Sequence, residues 1–200
     1  MTEPESAKPP LWFPDTSSLL SLAVDDGLHA AIQAEIGGER IALLDVVVDE
    51  LEFLAQGGPV AHLAAKALTR LDWLGGVVDT SNKVDLNDVE AVQSVIAGGR
   101  PLKHTREHWA ESVILALAGR LPKFACHILT EDYTARVEAL QHDCEPYSLH
   151  RLLADMWNVG RATAEDAAAW AAALHAADRG RDCTADDFRT RRGLGRVDQP

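Results

Sequence analysis

The sequence has few cysteines and no long apolar segment. Three cysteines, Cys126, Cys144 and Cys183, occur among 200 residues, and their wide spacing fits neither a disulfide framework nor a zinc site. We therefore expect reduced thiols in a cytoplasmic protein, with Cys126 in the core. No apolar run reaches the roughly 20 residues that a membrane helix needs, and residues 1–10 lack the basic-then-apolar order of a signal peptide. These absences predict a protein without a membrane segment.

Positive charge is also scarce, because the formal net charge is −12. This excess of acids argues against tight, nonspecific binding of duplex nucleic acid through a broad basic face. It leaves open a nucleic-acid substrate, since acids clustered around a metal ion would contribute to the same total. The basic residues are unevenly placed and form two local groups, for which solvated surface is the simpler interpretation and phosphate contact the alternative. The groups are Arg100, Lys103, His104 and Arg106, and Arg189, Arg191, Arg192 and Arg196.

Several phosphate-handling classes are excluded by missing motifs. The chain has no glycine-rich loop of the P-loop or dinucleotide-binding type. A haloacid dehalogenase-type phosphatase needs a second Asp two residues after the first, and Ser17 stands two residues after Asp15. The Asp and Lys pair of a response-regulator receiver is not evident either. His104 and His108 are four residues apart, a spacing that is more common on surfaces than at metal sites.

The order of apolar segments indicates an α/β fold. Short apolar runs at 11–13, 41–44, 77–79, 124–129 and 145–149 predict strands, and helical patterns separate them. Runs of this kind are typical of strands buried on both faces, so we expect a mainly parallel sheet. Helices are predicted around 19–22, 30–36, 46–55, 59–74, 86–97, 105–120, 133–140, 152–157, 163–178 and after 184.

The same pattern suggests one main domain with additions at both ends. Residues 1–10 are expected to be a disordered lead-in, residues 11–150 the main domain, and residues 151–200 a helical appendage. In the appendage, 163–166 and 184–187 resemble capping boxes that begin helices. These helices could pack on a sheet edge, replace a partner or pair two protomers. The alanine-rich face at 167–174 favours a homodimer.

Four acids are predicted to meet at one edge of the sheet. Asp15 follows the first strand and Asp132 follows the strand at 124–129, while Glu50 and Glu111 lie on apolar helices. Individually they have simpler explanations: Asp15 as a helix cap, Glu50 as an exposed acid, Glu111 as a first-turn acid and Asp132 as a turn residue. Together they would repel one another, and a hard divalent cation such as Mg²⁺ or Mn²⁺ would offset that repulsion. Thr130 and Ser17 could orient these ligands.

The sequence segments around these acids resemble those of the PIN-domain family. The matching segments are Phe13-Pro14-Asp15-Thr16-Ser17, Val47-Val48-Asp49-Glu50-Leu51, Glu111-Ser112-Val113-Ile114-Leu115-Ala116 and Leu129-Thr130-Glu131-Asp132. The resemblance covers about residues 11–150. It implies a three-layer α/β/α sandwich with a parallel sheet, and the four acids of the family fall on Asp15, Glu50, Glu111 and Asp132. Ser17 stands where the family often has Asn, and Glu111 where it commonly has Asp. Asp49 and Glu131 are expected to point away.

The resemblance also implies an activity. PIN domains are typically Mg²⁺- or Mn²⁺-dependent endoribonucleases, and many are toxins of VapBC-type pairs. We therefore expect the four acids to hold the metal and catalyse RNA hydrolysis, with Arg100, Lys103 and Arg106 as candidate RNA contacts. An antitoxin protein is a candidate partner. The alternative is a catalytically inactive PIN-fold module that binds RNA or a protein.

Overall fold

The protein is an α/β protein, described by a computed structural model over residues 8–190. These residues contain six strands and ten α-helices. The strands are β1 (Pro10–Pro14), β2 (Arg40–Ile41), β3 (Leu43–Leu44), β4 (Val77–Val78), β5 (Ala125–Leu129) and β6 (Cys144–Tyr147). The helices are α1 (Thr16–Leu22), α2 (Asp26–Ile36), α3 (Asp45–Ala55), α4 (Ala61–Leu68), α5 (Leu86–Ile96), α6 (Trp109–Ala118), α7 (Tyr133–Ala139), α8 (Leu149–Asn158), α9 (Ala164–Ala176) and α10 (Ala185–Arg189).

Four strands form an all-parallel sheet in the order β2-β1-β5-β6. Phe13 of β1 pairs with Ile128 of β5, and both side chains are fully buried. A parallel sheet covered by helices buries both faces of its central strands, which accounts for their continuous apolar runs. The prediction of a mainly parallel sheet is confirmed. Because β1 and β5 are neighbours and parallel, their carboxyl ends lie side by side.

The predicted strand at 41–44 is divided into two. Ile41 pairs with Trp12 of β1, and the Ala42 amide still donates to the Trp12 carbonyl at 2.8 Å. Leu43 and Leu44 instead pair with Val77 and Val78 of β4 in a separate two-stranded sheet. The single-strand prediction was wrong because the apolar run serves two different partner strands, which no local pattern reveals.

Two predicted helices are shorter than expected. The segment predicted at 59–74 ends as an α-helix at Leu68, and a separate 3₁₀ turn covers Asp72–Leu74. The central helix, expected from 105, begins at Trp109. The Gln93 side chain donates to the carbonyls of Thr105 and Glu107 at 3.1 and 2.6 Å. The loop before α6 is thus held by a side chain from α5 and needs no helical hydrogen bonds there.

The core is built around α6. From Ser112 to Ala118 every side chain of this helix is buried, and Ala110 is buried as well. Only Trp109 and Glu111 in α6 keep partial exposure. A helix that is apolar on nearly all sides belongs in the interior, so its single acid, Glu111, is carried into a largely apolar environment. All three cysteines are free and buried, as expected.

The C-terminal helices belong to the same hydrophobic core as the sheet. Ala167, Ala171 and Leu174 of α9 are fully buried, and so is Phe188 of α10. Capping boxes begin both helices, as predicted. The alanine face that favoured a dimer is therefore covered within the chain, and it gives no support for a dimer. The expected boundary between 150 and 151 falls inside α8.

Some sequence predictions fall outside residues 8–190. They concern most of the lead-in at 1–10 and three of the C-terminal arginines, Arg191, Arg192 and Arg196. Within the described part of the chain, no helix combines the length and the apolar character needed to cross a membrane.

Candidate functional site

Asp15 and Asp132 come together because they follow neighbouring parallel strands. The Asp15 amide donates to the Leu129 carbonyl at 3.0 Å, which extends the pairing of β1 and β5 by one residue. The Thr130 hydroxyl then donates to Asp15 Oδ2 at 2.6 Å and accepts from the Asp132 amide at 3.1 Å. One buried hydroxyl thus links the two acids, and these are the contacts of Thr130 from which an orienting role is predicted.

Asp15 is both a helix cap and a member of the acid cluster. Its Oδ1 accepts from the Ser18 amide at 2.7 Å, which caps α1. The Ser17 hydroxyl donates to Oδ2 at 2.8 Å. The carboxylate is fully buried, and this burial raises its pKa although the hydrogen bonds from Thr130, Ser18 and Ser17 act in the opposite direction.

Glu50 reaches the cluster from α3. The Thr16 hydroxyl donates to Glu50 Oε2 at 2.7 Å, so the hydroxyls of Thr16 and Ser17, the first two residues of α1, hold Glu50 and Asp15 respectively. Burial raises the pKa of Glu50, and the nearby charge of Asp15 raises it further. Glu50 also lines a cavity of about 280 Å³ together with Asp49, Arg106 and Trp109.

Glu111 lies in a position that disfavours its charged form. Its pKa is raised well above the usual value, first by burial and then by the charges of Asp15, Glu50 and Asp132. The charges of Asp15, Glu50 and Asp132 therefore act on Glu111, which places these three acids near it. Carboxylates can lie this close together only if protons or a cation neutralise part of their charge.

The two carboxylate oxygens of Asp132 have different contacts. Oδ1 accepts from the Ala135 amide at 2.9 Å and caps α7. Oδ2 lies 3.3 Å from Nδ1 of His108. His108, Glu111 and Asp132 each present one ligand atom, and these atoms lie within 4.8 Å of one another.

The sequence analysis did not identify His108 as a member of the site. Its four-residue spacing from His104 suggested a surface pair, and His104 is indeed exposed. His108, however, is the residue directly before α6, three positions before Glu111. That position at the head of the apolar helix was the available signal. Thr16, the hydrogen-bond donor to Glu50, was also missed.

Two acids beside the cluster behave differently. Asp49 is exposed and lines the cavity next to Glu50. Glu131 is partly buried, and its Oε1 accepts from the Leu149 amide at 2.7 Å, so it serves the start of α8. Burial raises the pKa of Glu131 to about 7 despite the opposing charges of Arg136 and Arg179.

The three candidate RNA contacts have different surroundings. Arg100 forms a two-point ion pair with Glu107, with nitrogen–oxygen distances of 2.6 and 3.1 Å. The Arg106 guanidinium lies 5.5 Å from the centre of the exposed Phe53 ring and borders the cavity beside Glu50. Lys103 is exposed, and its amide donates to Glu107. Of the three, Arg106 is the one that lines the cavity next to an acid of the cluster.

The donor set fits a hard divalent cation. Carboxylate oxygens are the ligands that Mg²⁺ and Mn²⁺ prefer. Among the described residues, Glu111 and Asp132 supply them next to His108, and Asp15 and Glu50 lie close enough for their charges to act on Glu111. Burial raises the pKa values of Asp15, Glu50 and Glu111, so their charged forms are disfavoured in the protein alone. A bound cation would balance that charge.

Comparison with known proteins adds no relative to this description. No family model, no curated protein sequence and no solved structure matches this chain.

Proposed function

We propose that this protein is a PIN-type endoribonuclease that hydrolyses RNA phosphodiester bonds with the help of Mg²⁺ or Mn²⁺. The observation that carries the proposal is the electrostatic cluster of Asp15, Glu50, Glu111 and Asp132 beside the carboxyl ends of β1 and β5. In open α/β sheets, ligands bind in the crevice at the carboxyl ends of strands. The proposal includes the three-layer α/β/α sandwich that the family resemblance implies.

The four acids would hold the metal, and nearby groups would hold the acids. Thr130 and Ser17 fix the Asp15 carboxylate through hydrogen bonds of 2.6 and 2.8 Å, and Thr16 fixes Glu50. When bound, the metal would polarise the phosphate and lower the pKa of an attacking water. The protein supplies the positions of the ligands, which is where outer hydrogen bonds have their effect.

The cavity beside Glu50 is the proposed place for the RNA strand. Its wall contains the Trp109 ring, and the exposed Phe53 ring lies under the Arg106 guanidinium at its border. Aromatic faces and arginine bind single-stranded nucleic acid with little sequence preference, by stacking and by contact with phosphate. Binding of RNA through Arg106 and a metal ion, rather than through a broad basic surface, is consistent with the net charge of −12.

A cleavage assay with matched variants tests the proposal. Glu50→Gln removes one acid of the cluster, while Glu52→Gln makes the same change on an exposed side chain of the same helix. We expect Glu50→Gln and Asp15→Asn to lower RNA cleavage to the level measured in EDTA, and Glu52→Gln to cleave like the wild type. Circular dichroism checks that each variant is folded. Undiminished metal-dependent cleavage by folded Asp15→Asn would contradict the mechanism.

Metal binding separates the nuclease from a module that only binds RNA or protein. If the metal dissociation constant is about 0.1 mM, 10 mM metal stabilises the fold by about 2.7 kcal/mol. For a chain of this size that corresponds to an increase in melting temperature of roughly 5–10 °C. A protein that binds RNA but gains no thermal stability from Mn²⁺ and cuts no RNA would be the binding module. An antitoxin partner stays a prediction from the family resemblance.

A further inference from the structure

We propose that His108 is a metal ligand, and that its imidazole makes the site prefer a first-row transition ion to Mg²⁺. This inference rests on the proposed metal site, and it adds a nitrogen to the ligands that the sequence resemblance implied. It concerns the end of the site formed by His108, Glu111 and Asp132.

The spacing of the three groups fits coordination of one ion. Two ligands about 2.1 Å from an octahedral ion are about 3 Å apart when adjacent and about 4.2 Å apart when opposite. His108 Nδ1 and Asp132 Oδ2 are 3.3 Å apart, and the ligand atoms of all three residues lie within 4.8 Å of one another. An ion between these atoms needs only small side-chain movements.

The other contacts of Asp132 leave its Oδ2 on the side of His108 Nδ1. Asp132 uses Oδ1 to cap α7, so its Oδ2 is the oxygen on the side of His108. His108 Nε2 is 3.9 Å from Glu107 Oε1, a carboxylate already engaged by Arg100. At 3.9 Å this carboxylate does not accept a hydrogen bond from the ring, so Asp132 is the closer of the two acids to the imidazole.

The imidazole changes which ion the site prefers. Imidazole nitrogen suits first-row transition ions, whereas Mg²⁺ is bound by oxygen and keeps several waters. A site of carboxylates alone would accept Mg²⁺ and Mn²⁺ with less discrimination. Adding His108 should favour Mn²⁺ over Mg²⁺. Of these two ions, Mn²⁺ is the paramagnetic one and can be observed by electron paramagnetic resonance.

Pulsed electron paramagnetic resonance of the Mn²⁺-loaded wild-type protein is the direct test. A coordinated imidazole gives a ¹⁴N modulation, and labelling the histidines with ¹⁵N should replace it with the ¹⁵N pattern. This measurement needs no variant, so a folding defect cannot obscure it. Bound Mn²⁺ without directly coordinated nitrogen would overturn the proposal and leave His108 as a neighbour of Asp132 that does not bind the metal.

Titration calorimetry of a variant measures the preference. His108→Asn is the suitable change because His108 has a φ of 58°, a left-handed conformation that Asn tolerates well. We expect Mn²⁺ affinity to fall at least about tenfold, the range in which even outer groups act, and Mg²⁺ affinity to change less than about threefold because water can replace the imidazole. His62→Asn, on an exposed position of α4, is the control and should change neither. Equal losses for both ions would contradict the proposal.

The failure of this proposal differs from the failure of the nuclease assignment. Metal-dependent RNA cleavage without coordinated nitrogen would refute the role of His108 and leave the nuclease intact. A nitrogen-coordinated Mn²⁺ in a protein that cuts no RNA would support the role of His108 and refute the nuclease. If the protein binds no Mn²⁺ at millimolar concentration, the ligand proposal is wrong.

Discussion

Glu131 gives a quantitative prediction of how stability depends on pH. Its pKa rises from 4.5 to about 7 on folding because the carboxyl group is buried beside the start of α8. The folded protein therefore binds this proton more tightly than the unfolded chain does. The resulting stabilisation is complete below pH 4.5 and is lost as the pH rises to about 7.

Glu131→Gln should remove this dependence. Glutamine is the neutral counterpart of the protonated acid, and its oxygen can still accept from the Leu149 amide. A shift from 4.5 to about 7 corresponds to about 3 kcal/mol, and partial contact with solvent lowers our expectation to about 2 kcal/mol. Above pH 7 the variant should exceed the wild type by this amount in unfolding free energy, whereas below pH 4.5 the two should be nearly equal.

Urea unfolding followed by tryptophan fluorescence, in EDTA at pH 4.5 and 8.5, measures the difference. Asp15 and Glu111 also have raised pKa values, but they titrate in both proteins and cancel in the comparison. The control is Glu52→Gln, an exposed position where we expect a change within about 0.5 kcal/mol at both pH values. A Glu131→Gln variant that is less stable than the wild type at pH 8.5, or a difference that does not vary with pH, would refute the reasoning.

Three further predictions concern the core and the cluster. Phe188→Ala should lower the free energy of unfolding by about 3–5 kcal/mol, because the ring is fully buried. A loss below about 1 kcal/mol in urea unfolding would contradict the packing of α10 into the core. Thr130→Val removes one of the two hydroxyl donors to Asp15 and should lower the free energy of unfolding by about 1–3 kcal/mol, whereas Thr130→Ser should restore most of it in the same assay. In EDTA at pH 8, Glu111→Gln should raise the melting temperature because the charged form of Glu111 is disfavoured in the folded state. In millimolar Mn²⁺ the wild type should instead have the higher melting temperature. If the variant still melts at the higher temperature, Glu111 is not a ligand.

Local patterns in the sequence predicted the elements that depend on neighbouring residues. The strands β4, β5 and β6 and the capped starts of α9 and α10 lie within a few residues of their predicted positions. Such features follow from apolar runs and from side chains that cap the adjacent helix. The approach of Asp15 to Asp132 could also be predicted, because parallel neighbouring strands bring their ends together.

The errors arose where distant residues decide the structure. The division at Ala42 depends on β1 on one side and β4 on the other. The late start of α6 depends on Gln93, whose side chain holds the preceding loop from another helix. The contact of His108 with Asp132 joins residues on different elements. Hydrophobic periodicity contains no information about these contacts.

The position of Thr130 bears on how the protein is made. The hydroxyl that joins Asp15 to Asp132 comes from the end of β5, so β1 acquires this neighbour only after the chain has been synthesised as far as residue 130. A nascent chain that ends before β5 carries Asp15, Glu50 and Glu111 but lacks Thr130 and Asp132. If the protein cuts RNA, we expect the nascent chain to gain this activity only after Asp132 has been added.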